Sequence, residues 1–204
     1  MASDKDALAR THVAQLFDDA ASLGESVGAY FEEGYQNGET LLVVARPAHS
    51  IAILKWLSAH GYPVDDMIAS HQLTVLDAAT TMGALCLGGR PDPARFEARG
   101  ASLIRSLLAQ GHRLRIYGEI VDLFAERGQF DIAHDLEQMW MALAESCEFT
   151  LFCGYQSKHF GDPRSAPSLD ALCSLHDHVA AASNDMLATW LLSQRQKSSR
   201  DITH

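Results

Sequence analysis

Three residues combine side-chain types that bind metals or act as nucleophiles: His12, Cys153 and His176. Histidine and cysteine are common zinc ligands, but these three lie far apart and follow no recognised zinc spacing. Cys153 with His176 could also form a nucleophile and base pair, and so could Ser26 with His12. Such pairs need hydrogen-bond contact, which sequence distance does not establish, and no G-x-S-x-G elbow is present. We therefore favour a buried thiol and hydrogen-bonded histidines, and we expect no catalytic residue, metal or cofactor.

The segment Asp18–Ser26 follows an apolar run and precedes a helical pattern, as a phosphate-binding loop does. A working loop, G-x-x-x-x-G-K-[ST], surrounds phosphates with backbone amides and neutralises them with its lysine. Here Glu25 stands at the lysine position, or Leu23 if the register is shifted by two residues. Carboxylates in this loop would repel a triphosphate. We therefore predict a degenerate phosphate-binding loop and no ordinary ATPase.

Composition limits the class of protein. With 204 residues, 47% of them hydrophobic, the chain is long enough for one sizeable domain. Its net charge of −10 and the lack of a basic stripe argue against nucleic acid as a partner. No signal sequence and no apolar run of roughly 20 residues are present, so we predict a cytoplasmic protein without membrane contact. The four cysteines form no C-x-x-C pair, which indicates reduced, mostly buried thiols.

Strand and helix patterns alternate along the chain and must position these residues. Strands are predicted at residues 13–17, 41–45, 73–77, 114–117 and 149–155. A loose connection is predicted at residues 80–92, and helices at residues 170–178 and 179–194. This alternation predicts an α/β fold with a mainly parallel central sheet of about five or more strands, flanked by helices in a three-layer sandwich, and a helical C-terminus. We divide the chain into a flexible leader (1–11), one domain (12–180) and a C-terminal helix with a polar tail (181–204).

Two groups of apolar residues leave alternatives open. The stripe within residues 186–192 has helical spacing and could pack on its own domain, form a dimer helix or connect to an output domain. Trp140, between two methionines, and the aromatic residues Tyr30, Phe31 and Tyr35 could line a pocket for an organic ligand. Core packing is the favoured explanation for Phe31 and for Trp140 with its methionines.

Polar side chains at the predicted carboxyl ends of strands are candidates for ligand contact, because open parallel sheets bind ligands there. They are Asp18, Asp19, Arg46, His49, Asp77, Glu119 and Tyr155. Glu119 is the strongest candidate, since a carboxylate at this edge can accept hydrogen bonds from a ligand or hold a water. The alternative is that Glu119 caps the helix that begins near Ile120.

Several short motifs occur in an order that resembles a known family. They are His12 with Leu16-Phe17, Phe31-x-x-Gly34, Asn37-Gly38-Glu39, Gly118-Glu119, Leu136-Glu137-x-x-Trp140, Leu151-Phe152-Cys153-Gly154-Tyr155 and His176. Over roughly residues 10–180 the chain resembles the MEDS family, the methanogen/methylotroph DcmR sensory domain. The most specific of these motifs are Gly118-Glu119 and the Cys-x-Tyr ending of the last predicted strand.

This resemblance implies a sensory module with a fold similar to the KaiC/RecA ATPases but without the phosphate-binding lysine. It also implies a place beside DNA-binding or histidine-kinase domains. The 204 residues contain no helix-turn-helix or kinase motif, so the signal would pass to a partner chain or a fused domain.

We therefore expect a non-catalytic sensory module that binds a small-molecule effector at the carboxyl edge of the sheet. It would act in transcriptional or two-component regulation, as a homodimer with a kinase or transcription regulator as its protein partner. The expected ligand-binding residues are His12, Ser26, Glu119, Cys153, Tyr155 and His176. One alternative is a protein-interaction module whose vestigial nucleotide pocket is filled by side chains. Another is a residual nucleotide-dependent enzyme, against which the missing lysine argues.

Overall fold

The structure is a computed structural model that describes residues 12–182 and 184–201, with side chains up to residue 193. In chain order its strands are β1 (His12–Phe17), β2 (Thr40–Ala45), β3 (Leu73–Asp77), β4 (Cys86–Leu87), β5 (Arg90–Pro91), β6 (Leu114–Gly118), β7 (Phe149–Gln156) and β8 (His178–Ala181). Six of them form one parallel sheet in the order β3-β2-β6-β7-β1-β8, whereas β4 and β5 form an antiparallel pair. The predicted α/β fold with a mainly parallel sheet is confirmed.

Helices cover both faces of the sheet. In chain order they are α1 (Ala20–Gln36), α2 (Pro47–Ala59), α3 (Val64–Ala69), α4 (Ala78–Leu85), α5 (Pro93–Arg95), α6 (Ser102–Leu108), α7 (Ile120–Ala125), α8 (Phe130–Ala144), α9 (Ala166–Leu175) and α10 (Met186–Asp201). A π-helix, Phe96–Ala101, joins α5 to α6, and two 3-10 helices, Ser157–Phe160 and Pro163–Ser165, follow β7. The core under α1, α2 and α3 lies on one face, and the core under α4 and α6 to α10 lies on the other.

Strand β2 illustrates why the sheet is covered on both sides. All six of its residues, TLLVVA, are buried. Successive side chains of a strand point to opposite faces, so Val43 joins the core under α1 and α2 while Leu42 and Val44 join the other core. A continuous apolar run is typical of a parallel strand with helices on both faces.

The connection between β1 and α1 contains only Asp18 and Asp19, so the predicted phosphate-binding loop over Asp18–Ser26 is wrong. The Asp19 carboxylate accepts hydrogen bonds from the backbone amides of Ala21 and Ser22 at 2.8 and 2.9 Å. It therefore caps α1 directly after the strand. The short connection leaves no loop that could surround a phosphate.

Two glycines of α1 lie against α2. A Cβ on Gly24 would lie 3.1 Å from the backbone of Ala52, and a Cβ on Gly28 would lie 2.3 Å from the Trp56 ring. The two helices can approach this closely only because these positions lack a side chain. Gly24, the glycine that suggested a phosphate loop, is thus explained by helix packing.

Two segments differ from the pattern in the sequence. Residues 80–92, predicted as a loose connection, form most of α4 and the β4–β5 hairpin. Residues 170–194, predicted as two helices, contain the edge strand β8 between α9 and α10. Strand β8 has four residues and is held by parallel pairing with β1, from Val13 with His178 to Leu16 with Ala181. So short a segment shows no clear period of its own, and its conformation depends on the strand beside it. The predicted flexible leader lies outside the described residues.

The C-terminal helix packs on the domain at its beginning. Ala188 and Leu191 of α10 are buried in the core on the α8 face, whereas Trp190 and Met186 are exposed. The Asp18 carboxylate accepts hydrogen bonds from the backbone amides of Leu187 and Ala188 at 2.9 and 3.1 Å. One part of the predicted apolar stripe thus packs on its own domain, and another part faces outward.

Candidate functional site

A cavity of about 230 Å³ lies between the sheet and its covering helices; we call it the sheet cavity. Its floor consists mainly of apolar side chains from β2, β6 and β7, and its cover comes from α4, the π-helix, α6 and α7. Polar side chains are few and come from Thr80, Thr81, Arg99 and Cys153. Gly118 also lines the cavity, and a Cβ there would meet no atom within 4 Å. The cavity therefore suits a small, mainly apolar molecule.

The π-helix Phe96–Ala101 contributes Arg99 and Gly100 to the cavity wall. A turn of π-helix within α-helical structure is rare and is found frequently at functional sites. Trp140 from α8 also lines the cavity, so it serves as a pocket residue as well as a core residue. Phe31, by contrast, is fully buried in the core under α1 and α2.

A second group of side chains lies beside Cys153 on the same face of the sheet. His12, Glu137, Cys153 and His176 each place one possible metal-ligating atom within 4.8 Å of all the others; we call them the Glu137 cluster. His12 Nε2 lies 3.4 Å from Cys153 Sγ and 3.2 Å from Glu137 Oε2. Glu137 Oε2 lies 3.6 Å from Cys153 Sγ, and Glu137 Oε1 lies 3.4 Å from His176 Nε2. The structure thus brings together three predicted site residues and one residue that was not predicted.

Neighbouring groups orient the Glu137 cluster. The phenol of Tyr155 donates a hydrogen bond of 2.6 Å to Glu137 Oε1. His176 Nδ1 donates to the Leu172 carbonyl at 2.8 Å, which leaves Nε2 pointing toward Glu137. The backbone amide of His12 donates to Asp177 Oδ2 at 2.8 Å. The backbone amide of Asp177 donates to the His12 carbonyl, also at 2.8 Å. Four elements, β1, α8, β7 and the end of α9, therefore meet at one buried carboxylate.

The electrostatics of the Glu137 cluster are set by burial and by the carboxylate. Burial alone would raise the pKa of Glu137, but the rings of His12 and His176 outweigh it and hold this pKa well below its usual range. Burial would likewise lower the pKa of His176, yet the Glu137 carboxylate raises it overall. Burial and the same carboxylate raise the pKa values of the Cys153 thiol and the Tyr155 phenol. The carboxylate is thus ionised near neutral pH, while the thiol and phenol keep their protons.

Glu119 belongs to a different group at the carboxyl ends of β2 and β6. Its fully buried carboxylate accepts a hydrogen bond from the Arg46 backbone amide and lies 2.5 Å from His49 Nδ1. The Arg46 guanidinium lies 3.3 Å from Glu119 and 2.8 Å from Asp122, whose other oxygen accepts from the Gln156 amide at 2.9 Å. Glu119 and Asp122 therefore connect three strand ends. Both bind Arg46, which follows β2, and Asp122 also binds the Gln156 amide at the end of β7.

Neither sequence-based interpretation of Glu119 describes these contacts. The Glu119 side chain makes no hydrogen bond that caps α7, although the residue occupies the N-cap position. Its carboxylate turns to Arg46 and His49 instead, so its acceptor positions are occupied by protein groups. The arrangement indicates a structural clamp between strand ends.

The predicted ligand set is split between the two faces of the sheet. Cys153 and Tyr155 belong to the core under α8, whereas Glu119 contacts His49 of α2 on the other face. His12 is the first residue of β1, and Glu119 follows the carboxyl end of β6. The structure therefore does not bring Glu119, His12 and Tyr155 together at the carboxyl edge. Strand alternation places Cys153 and Tyr155 on the α8 face, whereas Glu119 follows the end of β6 and its carboxylate turns toward α2.

Ser26 also lies apart from His12. Its hydroxyl accepts a hydrogen bond of 2.7 Å from Gln15 Nε2. Gln15 points to the face opposite to its neighbour Ala14, which lies in the core under α8. Ser26 therefore satisfies a buried glutamine beside α1, and the possible Ser26 with His12 pair does not form.

Sequence reasoning did not select Glu137 or Asp122 as site residues. Glu137 stands on the buried face of α8, next to Leu136 and four residues after Ala133. A carboxylate within an apolar stripe is costly unless it is paired, and this is the signal that could have identified it. Asp122 is likewise a buried carboxylate among apolar residues, in helix α7, whose residues are all buried.

Comparisons with known proteins place the chain in context. The family model described as MEDS, MEthanogen/methylotroph, DcmR Sensory domain, matches residues 11–177. No curated protein matches the chain. Among solved structures, a KaiC-like protein from the hyperthermophilic archaeon Pyrococcus horikoshii OT3 aligns with 13% identity and a TM-score of 0.45. The alignment covers 70% of this chain and 62% of that one. Among the described helices, none is both long and apolar enough to cross a membrane.

Proposed function

Since the chain belongs to the MEDS family of sensory domains, we propose that it is a non-catalytic sensory module that binds a small, mainly apolar molecule in the sheet cavity. The observation that carries this proposal is the cavity, which is lined by apolar side chains with a few polar groups. Small-molecule sites have this composition, and apolar cavities of about 150 Å³ already accept benzene. A cavity of about 230 Å³ has room for a somewhat larger ligand.

The position of the cavity supports a signalling role. Its wall includes α4 and the π-helix, and Thr80 of α4 and Arg99 of the π-helix both reach the surface. A ligand that binds better to one arrangement of this wall shifts the population toward that arrangement. A kinase or transcription regulator that contacts the outer surface of the wall would then receive the signal.

Two observations support a module without catalysis. The two-residue connection after β1 provides no loop for a triphosphate. Burial raises the pKa of the Cys153 thiol, which disfavours the thiolate that nucleophilic chemistry requires. Phosphate release from ATP by wild type above that of a sample without protein would contradict this part of the proposal.

The alternative of an interaction module predicts that side chains fill the pocket. The space beside Gly118 and Cys153 argues against filling, since a Cβ on Gly118 would contact no neighbour. We therefore prefer ligand binding, and the following experiment distinguishes the two.

Toluene is a suitable probe, and its binding can be measured from the increase in unfolding temperature and from methyl NMR shifts. We expect wild type to be stabilised and shifts to concentrate on Ile116 and Leu151, because both line the cavity. A Gly118→Leu variant places a side chain in the cavity and should lose both effects. The matched control is Gly83→Leu, which adds the same side chain at an exposed position with equal space. Wild-type protein without a toluene response, or a Gly118→Leu variant that binds like wild type, would refute the proposed site.

A further inference from the structure

We propose that His12, Glu137, Cys153 and His176 bind a divalent transition-metal ion, with zinc as the ion that fits best. Zinc accepts nitrogen, sulfur and oxygen ligands in tetrahedral sites. The four residues supply two imidazole nitrogens, one sulfur and one carboxylate oxygen. Cys153 lines the sheet cavity as well, but the test of the metal site uses the ion alone, so its outcome is distinguishable from that of the toluene experiment.

The distances fit a tetrahedral ion. With Zn–N of about 2.0–2.1 Å and Zn–S of about 2.3 Å, ligand atoms in a tetrahedron lie roughly 3.3–3.6 Å apart. His12 Nε2 lies 3.4 Å from Cys153 Sγ and 3.2 Å from Glu137 Oε2. Glu137 Oε2 also lies 3.6 Å from Cys153 Sγ, and the other oxygen, Oε1, lies 3.4 Å from His176 Nε2. All four ligand atoms lie within 4.8 Å of one another, so the most distant pairs need to approach by roughly 1 Å for all four groups to reach one ion.

The orientation of His176 supplies independent support. Its side chain is fully buried, and its Nδ1–H donates to the Leu172 carbonyl. Its Nε2 makes no hydrogen bond within the described part of the chain, although it lies 3.4 Å from a Glu137 oxygen. A buried ring nitrogen that faces a carboxylate must share a cation with it, which can be a proton or a metal ion, and a metal ion would satisfy the neighbouring sulfur and imidazole as well. Histidine ligands of zinc typically have this arrangement, with the second ring nitrogen bonded to a carbonyl.

The surroundings of Glu137 also resemble those of a metal ligand. Tyr155 donates to Oε1, which leaves Oε2 facing His12 and Cys153. Such outer hydrogen bonds orient ligating carboxylates. A dication displaces the thiol proton when it binds, so the protonated Cys153 is no obstacle.

Three cavities reach the Glu137 cluster from different sides and offer an entry path. Cys153 lines the sheet cavity, Glu137 lines a cavity of about 270 Å³, and His12 lines one of about 290 Å³. The four ligands belong to β1, α8, β7 and the residue that follows α9. A bound ion would therefore join elements that are distant in sequence, and it should stabilise the fold.

The test uses the full chain after dialysis against a chelator, followed by titration with Co²⁺ and with Zn²⁺. We expect one equivalent of Co²⁺ per chain, the visible absorption of tetrahedral cobalt and a thiolate-to-cobalt band in the near ultraviolet. Zn²⁺ should displace Co²⁺ and raise the unfolding temperature of wild type.

Variants identify the ligands. Cys153→Ser should lose the thiolate-to-cobalt band, and His176→Ala should bind Zn²⁺ at least tenfold more weakly. Cys147→Ser, which changes another buried cysteine, is the control and should behave like wild type. Folded wild type without a cobalt spectrum, or an unchanged thiolate band in Cys153→Ser, would overturn the proposal. Wild-type titration remains decisive even if a ligand variant fails to fold.

Discussion

The Tyr155 phenol donates a hydrogen bond of 2.6 Å to Glu137 Oε1, and both side chains are buried. This contact ties the carboxyl half of β7 to α8 and sets the direction of the Glu137 carboxylate. The residue that closes the Cys-x-Tyr motif therefore positions a carboxylate of another element, and Cys153 of the same motif faces that carboxylate.

A Tyr155→Phe variant should lower the free energy of unfolding by about 1–3 kcal/mol, because a buried carboxylate loses a hydrogen-bond donor. It should also weaken Zn²⁺ binding roughly 10- to 100-fold, as loss of an outer hydrogen bond to a ligand does. Urea denaturation and metal titration measure the two effects. Tyr35→Phe is the control, since the Tyr35 phenol makes no hydrogen bond among the described residues, and it should change neither quantity.

A Glu119→Ala variant should be destabilised by about 3 kcal/mol, because Arg46 and His49 lose a buried acceptor. Glu126→Ala removes a half-exposed partner of the same arginine, 3.3 Å from it, and should cost no more than about 1 kcal/mol. Chemical denaturation compares the two. Equal free energies of unfolding for Glu119→Ala and Glu126→Ala would contradict the clamp role of Glu119. Loss of toluene binding in a folded Glu119→Ala variant would indicate that Glu119 contributes to the ligand site.

An Asp18→Ala variant should loosen the beginning of α10, since the Asp18 carboxylate accepts the amides of Leu187 and Ala188. The expected cost is about 0.5–2 kcal/mol, as for other helix caps. Hydrogen exchange should accelerate in α10 more than in α1, which Asp19 caps. The reverse result, with faster exchange in α1 alone, would contradict the role assigned to Asp18.

A Gly28→Ala variant should be destabilised by about 1–3 kcal/mol, because its Cβ would lie 2.3 Å from the Trp56 ring. Gly83→Ala adds the same methyl to an exposed helical position with free space, and should be neutral or stabilising by up to about 1 kcal/mol. Thermal unfolding distinguishes them. Similar behaviour of the two variants would mean that α1 and α2 separate without cost.

Local patterns in the sequence were sufficient for the fold class and for five of the six strands in the main sheet. Strand β3 begins and ends where predicted, at Leu73 and Asp77, because a short apolar run bounded by turn residues is a local signal. The lack of a lysine near Gly24 was likewise visible without coordinates. The function of Gly24 was not, since close packing of α1 on α2 involves Ala52, far away in the chain.

The sequence by itself thus determined the α/β alternation, the family motifs and the positions of polar side chains near the ends of strands. Only the tertiary structure decided that Glu137 joins His12, Cys153 and His176, and that Glu119 lies with His49 on the other face. It also decided that β8 is a strand, through its pairing with β1. The physical reason is that periodicity depends on neighbours along the chain, whereas these contacts depend on strand order and on the face to which each side chain points.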